Sequence, residues 1–439
     1  MTGLGWELTL GLMGGLLVLL MGIGVPVAFA FVAINLLGAW FILGGTAGLK
    51  LLALNATESI GSFILVPIPL FILMGEILLA TGLAKRAIHA IERAITGVPG
   101  RLSLVAISSG TVFASLSGSS IANTAVLGRV LLPEMKRLGY HPTVSIGPIL
   151  GIGGVAMLIP PSALAVLLGS LAGLSISKLL IAGILPGLLL ATLYFGYVII
   201  ACWLRPSLAP AEPLEPMPLR QRLMPLVTQV MPLLFIVIIV VGSILGGFAT
   251  PSESAALGSV ATVLAAAFYR VLSVKALIAA LMGTVRTSAM ILIIISGSIT
   301  FSQILSFSGA SRQLIQVIVG IGLEPLILVL AMLLVALLLG MLMDQLSIML
   351  ITLPFFMPLI MQAGIDPIWF GVMMLVALEV GLITPPFGLL LFIMQSVAPP
   401  GTTMRSILLS IAPFLTLEIV GLALIFTFPA IALWLPSLI

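Results

Sequence analysis

Charge is scarce in this sequence, and the shortage decides its class. Seventeen Lys and Arg and thirteen Asp and Glu make up 7% of the 439 residues. A water-soluble chain needs about a quarter of its residues charged to cover its surface. With 61% of residues hydrophobic and a mean hydropathy of +1.37, a soluble globular domain is excluded. Cysteine is nearly missing: Cys202 stands alone, which excludes an intrachain disulfide and a cysteine metal site. Histidine is limited to His89 and His141, too few and too far apart for a metal or a proton relay, and both read as membrane-surface residues. The short alternating segments of a membrane β-barrel are absent. So are H-E-x-x-H, G-x-x-x-x-G-K-[ST] and any acidic doublet that would hold magnesium, so no enzyme is expected. The opening MTGLGWELTL has no basic stretch before its apolar run, and no cleavable signal peptide is expected.

What the chain does have is apolar runs of about 20 residues, each long enough to cross the ~30 Å hydrocarbon core as a helix. Open strands would leave backbone groups unsatisfied in lipid, so the expected fold is all-α and polytopic. A shift of 225 positions brings the chain onto itself. Pro26 meets Pro251, Pro133 meets Pro358, Gly139 meets Gly364, Pro142 meets Pro367, and Pro160-Pro161 meet Pro385-Pro386. Chance would give about one Pro–Pro match at a single shift, so these five imply an internal duplication. The halves are 1–210 and 225–439, joined by a polar, Pro-rich linker at 211–224.

Charge orients the halves. Segments 84–101 and 129–137 carry Lys85, Arg86, Arg93, Arg101, Arg129, Lys136 and Arg137, while their counterparts 309–326 and 354–362 carry only Arg312. Positive residues mark the inner face, so equivalent segments are expected on opposite faces, as inverted repeats. The sequence pI near 9.5 therefore reflects orientation and not a nucleic-acid partner. Expected spans are 8–23, 26–44 and 62–81, a re-entrant hairpin at 102–138, a broken span at 142–173, and a span at 175–204. The second half repeats them at 225–247, 252–270 and 286–306, with a hairpin at 326–362, a broken span at 367–399 and a last span at 408–433. That makes roughly ten spans and two hairpins, with both termini outside. LAKRAIHAIERAITG alternates apolar and basic faces and is expected to lie along the inner surface.

The most polar stretch inside this apolar chain is SGSSIANTAV, residues 117–126, at the expected tip of the first hairpin. Under the shift, Ser119 aligns with Asp344 in LLLGMLMDQLSIMLITLP. An ionisable group in hydrocarbon costs about 2.5–3.5 kcal/mol even on lenient scales, so Asp344 needs a partner or an ion. Ser and Asn oxygens, a carboxylate and freed carbonyls are hard ligands suited to a small hard cation. The breaks at Pro160-Pro161 and Pro385-Pro386 free such carbonyls a turn earlier. Inverted repeats with broken helices belong to secondary transporters, and without a Walker motif an ion gradient must drive transport. Thr250-Pro251-Ser252-Glu253 reads as a capping box, a structural device. Glu379, six residues before Pro385, reads either as a tuning group of the site or as half of a buried pair; Glu76 is equally open.

At these residues the chain resembles the large membrane subunit of tripartite ATP-independent periplasmic (TRAP) transporters. The stretches that carry the resemblance are GSSIANTAVLGRVLLPEMKRLGY, GGVAMLIPPS, GGFATPSESAALG, MDQLSIMLITLPFFMPLI with AGIDPIWFGV, and GLITPPFGLLLF. The resemblance implies a scaffold and a mobile transport domain holding the two hairpins, working as an elevator in a bacterial or archaeal inner membrane. It implies sodium-coupled import of organic acids handed over by a periplasmic binding protein, and a separate small four-helix membrane subunit. It carries ion ligands onto Ser117, Gly118, Ser119, Ser120, Asn123, Asp344, Ser347, Gly381 and Thr384. It places substrate contacts at Asn123, Thr124, Gly153, Pro160, Pro161, Ser162, Thr352, Pro385 and Pro386. No cofactor is expected beyond the coupling sodium ion. The alternatives are a one-component sodium- or proton-coupled carboxylate transporter and a membrane assembly protein without transport.

Overall fold

The computed structural model describes residues 5–210, 218–385 and 388–438, and among them every regular element is helical. Among the described residues six helices are long and apolar enough to cross a membrane, including Phe63–Ala80, Ile176–Leu204 and the 34-residue Val274–Phe307. Shorter apolar helices include Trp6–Gly22, Val27–Phe41 and Pro325–Gly340.

Two groups of helices pack together. In the first, Val274–Phe307 lies against Pro67–Ala80, Val27–Phe41 and Thr46–Ile60, and Pro251–Phe268 packs between Pro67–Ala80 and Met231–Leu245. Large apolar side chains on these helices, including Phe29, Phe41, Phe235 and Phe268, stand exposed. An apolar surface of that extent is covered by lipid in a membrane protein. The second group is built around Pro142–Val155 and Pro367–Leu382, whose side chains are almost all buried. Pro142–Val155 packs on Met404–Thr427 and Arg101–Ser117, and Pro367–Leu382 packs on Pro325–Gly340.

Helix boundaries recur in the two halves. Arg101–Ser117 and Ser120–Arg137 are joined by a two-residue turn; Pro325–Gly340 and Gln345–Gln362 follow at the offset that the prolines set. After each pair comes an interrupted stretch, Pro142–Val155 then Ala163–Ala172, and Pro367–Leu382 then Leu389–Val397. Pro142 and Pro367 both sit in the first turn, where a missing N–H costs nothing.

The expected spans differ from the helices in instructive places. Thr46–Ile60, which lay in no expected span, is helical. The expected span 286–306 is the second half of a helix that begins at Val274. Its counterpart in the first half is interrupted between Ile60 and Pro67 by a 3₁₀ turn, Phe63–Leu65. Pro67 and Pro69 remove backbone donors there, whereas the equivalent positions hold Leu292 and Ile294. The capping box is formed: Glu253 N donates to Thr250 Oγ1 at 3.3 Å and Thr250 N to Glu253 Oε2 at 2.7 Å. In Leu83–Ala94 the apolar residues Leu83, Ala87, Ile88 and Ile91 are buried on one face while Lys85 and Arg86 are exposed, as its amphipathic spacing requires.

Candidate functional site

The two helix-pair tips are built alike. Ser119 and Asp344, equivalent under the shift, each cap the second arm of their pair. Ser119 Oγ accepts from Ala122 N at 3.3 Å, and Asp344 Oδ2 accepts from Ser347 N at 3.2 Å while Oδ1 takes the Ser347 hydroxyl. A short side chain with an acceptor oxygen satisfies the free N–H groups of a helix start, and a carboxylate there also meets the positive end of the helix dipole. Asp344 is thus half-buried and compensated by its own helix.

Each tip is pressed against the interrupted stretch of its own half. Gly118, at φ +57°, turns the first tip so tightly that a Cβ there would lie 3.1 Å from Pro161 O and 3.2 Å from Ala163 N. Ser162 is fully buried and caps the helix that leaves this contact, accepting from Ala165 N at 3.2 Å. In the second half Gly340 and Gly381 meet backbone to backbone: a Cβ on either would lie 2.7 Å from the other's Cα. Ser117 Oγ accepts from Ser119 N at 3.4 Å inside the first tip.

The two tips also meet each other, through Glu379. Ser120 Oγ and Gln345 Nε2 both donate to Glu379 Oε1, the latter at 2.8 Å. Ser120 and Gln345 are themselves equivalent positions, one from each half. The equivalent of Glu379 is Gly154, where a Cβ would lie 3.0 Å from Glu379 Oε2 and 3.1 Å from Glu418 Oε1. One carboxyl therefore fills the space between the halves. Glu418 in turn accepts from Tyr194 OH at 2.7 Å. All these groups are buried.

Beside this contact lie further oxygens. Asn123 Nδ2 donates to Gly110 O at 3.2 Å and Ile152 O at 3.3 Å, tying the first helix pair to the neighbouring stretch. Its Oδ1, together with Thr124 Oγ1 and Glu379 Oε2, is buried with no hydrogen-bond partner. Thr124 Oγ1 stands only 2.3 Å from where a Cβ on Gly153 would be, so the glycine makes room for it. Buried hard oxygens without protein donors suit a small hard cation or the donors of a polar substrate.

Among the expected site residues, Ser117 through Thr124, Gly153 and the buried Pro160-Pro161 turn with Ser162 fall into one region. Asp344, Ser347 and Gly381 gather at the second tip, which Gln345 and Glu379 tie to the first. Thr384 donates to Val380 O and adjoins this tip through Gly381, its N–H bonding Gly381 O at 3.1 Å. Pro385 is exposed, and Pro386 lies outside the described residues. Thr352 does not join the tips. It lies about 12 Å along the helix from Asp344, at 1.5 Å per residue, and its hydroxyl donates to Ile348 O at 2.7 Å. Gln345, Tyr194 and Glu418 also belong to this centre, and no motif in the sequence marks Gln345 or Tyr194 for it. For Glu418 a signal existed: it is the one acidic residue in the long apolar run Met404–Thr427.

Among the described residues every regular element is helical, with interrupted helices buried at the centre, an architecture that a solved membrane transporter shares. The YdaH transporter of Alcanivorax borkumensis has this fold, with a TM-score of 0.65 over 97% of this chain and 98% of that one at 16% identity. The chain belongs to the DctM component family of tripartite ATP-independent periplasmic transporters, whose model matches residues 14–431. It is 34% identical over 88% of its length to the C4-dicarboxylate TRAP transporter large permease protein DctM of Pseudomonas aeruginosa, covering 89% of it. It is 31% identical, over 94% of its length and 95% of the relative, to the sialic acid TRAP transporter large permease protein SiaM of Vibrio cholerae. The 2,3-diketo-L-gulonate TRAP transporter large permease protein YiaN of Escherichia coli is 30% identical, each chain covered to 88%. The protein is a TRAP large permease subunit, and these relatives are transport proteins and not enzymes.

Proposed function

We propose that this subunit imports an organic acid together with sodium, by an elevator movement of the helices that carry the two tips. Sodium binds first, at the tip oxygens of Ser117, Ser119, Ser120 and Asn123 in one half and Asp344, Ser347 and the Gly381–Thr384 turn in the other. The ordered tips then present helix N-termini to the substrate carboxylate beside Thr124 and Ser162. The loaded domain slides against the scaffold formed by the first group of helices. The halves are inverted repeats with re-entrant hairpins, so inward and outward states have similar energies.

The observation that carries this reading is the meeting of both tips on one buried residue, Glu379, beside unpartnered oxygens of Asn123 and Thr124. The subunit works in the inner membrane with both termini periplasmic. Its partners are a small four-helix membrane subunit and a periplasmic binding protein, which does much of the substrate selection.

The test is uptake into proteoliposomes holding both membrane subunits, with binding protein and a labelled carboxylate outside. Uptake should need an inward sodium gradient and the binding protein. Uptake by this chain alone would favour a one-component carrier, and uptake indifferent to sodium would refute the coupling.

A further inference from the structure

We propose that Glu379 is a positioning residue that couples the order of one hairpin tip to that of the other. Its two donors come from separate helix pairs, Ser120 from the first and Gln345 from the second, and both reach the same oxygen. The carboxyl cannot follow one donor away from the other. On its far side Oε2 lies 3.0 Å from where a Cβ on Gly154 would be, and Glu418, anchored by Tyr194, lies 3.1 Å from the same point. A buried carboxyl oxygen that loses one donor is left underpaired in a dry interior, so the two hydrogen bonds are expected to form and break together. The repeat makes the arrangement economical: with glycine at the equivalent position, a single side chain serves both tips.

The consequence is a physical link between two sites on different halves. Ordering of one tip by a ligand fixes Oε1, and a fixed Oε1 holds the donor from the other tip; reciprocally, loosening either tip loosens both. For transport this rests on the proposed ion sites, since it predicts that sodium binding at the two tips is cooperative. The link itself does not require sodium.

Hydrogen exchange on the purified full-length chain separates the two questions. In potassium buffer, Gln345→Ala should accelerate amide exchange in its own tip, residues 341–349, and also in residues 117–124 of the other half. The expected acceleration is about fivefold, the change in opening that one ordinary hydrogen bond gives. Glu379→Ala should do the same to both tips, and Glu379→Gln, which keeps the acceptor oxygen, should restore protection. Should Glu379→Ala not fold, Gln345→Ala decides alone. Unchanged exchange at 117–124 in Gln345→Ala would overturn the proposal, whatever sodium does. In a second arm, the sodium dependence of thermal stability should lose steepness in Gln345→Ala but not in Glu379→Gln. An equally steep dependence in Gln345→Ala overturns the cooperative role. If wild type shows no sodium dependence at all, the ion reading fails while the exchange result still stands.

Discussion

Glu379 and Gly154 occupy equivalent positions of the two halves and face each other, the carboxyl of one filling the space that a side chain on the other would need. The pairing breaks the correspondence between the halves at this point. Around it the donors Ser120 and Gln345 and the caps Ser119 and Asp344 keep their correspondence.

Gly154→Ala should therefore be costly although alanine favours helices. Its Cβ would stand about 3 Å from oxygens of both Glu379 and Glu418, and overpacking a tight core costs about 1–3 kcal/mol. Thermal denaturation should show that loss, with Gly196→Ala as the uncrowded control, where nothing lies within 4 Å of a Cβ and helix propensity alone should act.

Gly340→Ala and Gly381→Ala should be worse. Here the obstacle at 2.7 Å is backbone and not the end of a side chain, so relief requires the second tip to move off Pro367–Leu382. Uptake should fall below detection in both, while Gly154→Ala retains part of it.

Tyr194→Phe should destabilise the fold by about 1–3 kcal/mol, because it removes the hydrogen-bond partner of a buried carboxyl oxygen. Glu418→Gln keeps an acceptor for the phenol and should cost less, by the same denaturation measurement.

Asp344→Asn separates capping from ion binding. Asn caps helices as well as Asp does, so the fold should keep its stability in potassium. Sodium-dependent uptake should be lost, because the charge that favours a cation is gone. Sodium-dependent uptake equal to wild type would remove Asp344 from the mechanism.

The helix pairs and interrupted stretches were legible because their ends carry local signals: Gly118 at a positive φ, Ser119 and Asp344 at caps, Pro142 and Pro367 at first turns. Thr46–Ile60 was not, since LKLLALNATESI mixes polar and apolar residues without one face dominating and ends at the Pro67 interruption. The role of Glu379 could not be read locally. Its bond to Ser120 joins residues 259 positions apart, and only the fold says which of several lone polar groups meet. Thr352 shows the converse: a hydroxyl near a motif in sequence can be satisfied within its own helix and lie two turns from the site.

The central claim is that the two tips together bind an alkali ion, and the most direct measurement is the thermal stability of the purified chain in sodium against potassium. A ligand of the folded state stabilises by mass action, about 2.7 kcal/mol at one hundred times its Kd. Melting should rise with sodium concentration at constant ionic strength, and Asp344→Asn should flatten the rise. Identical melting of the wild-type chain in the two salts, across the whole concentration range, would contradict it.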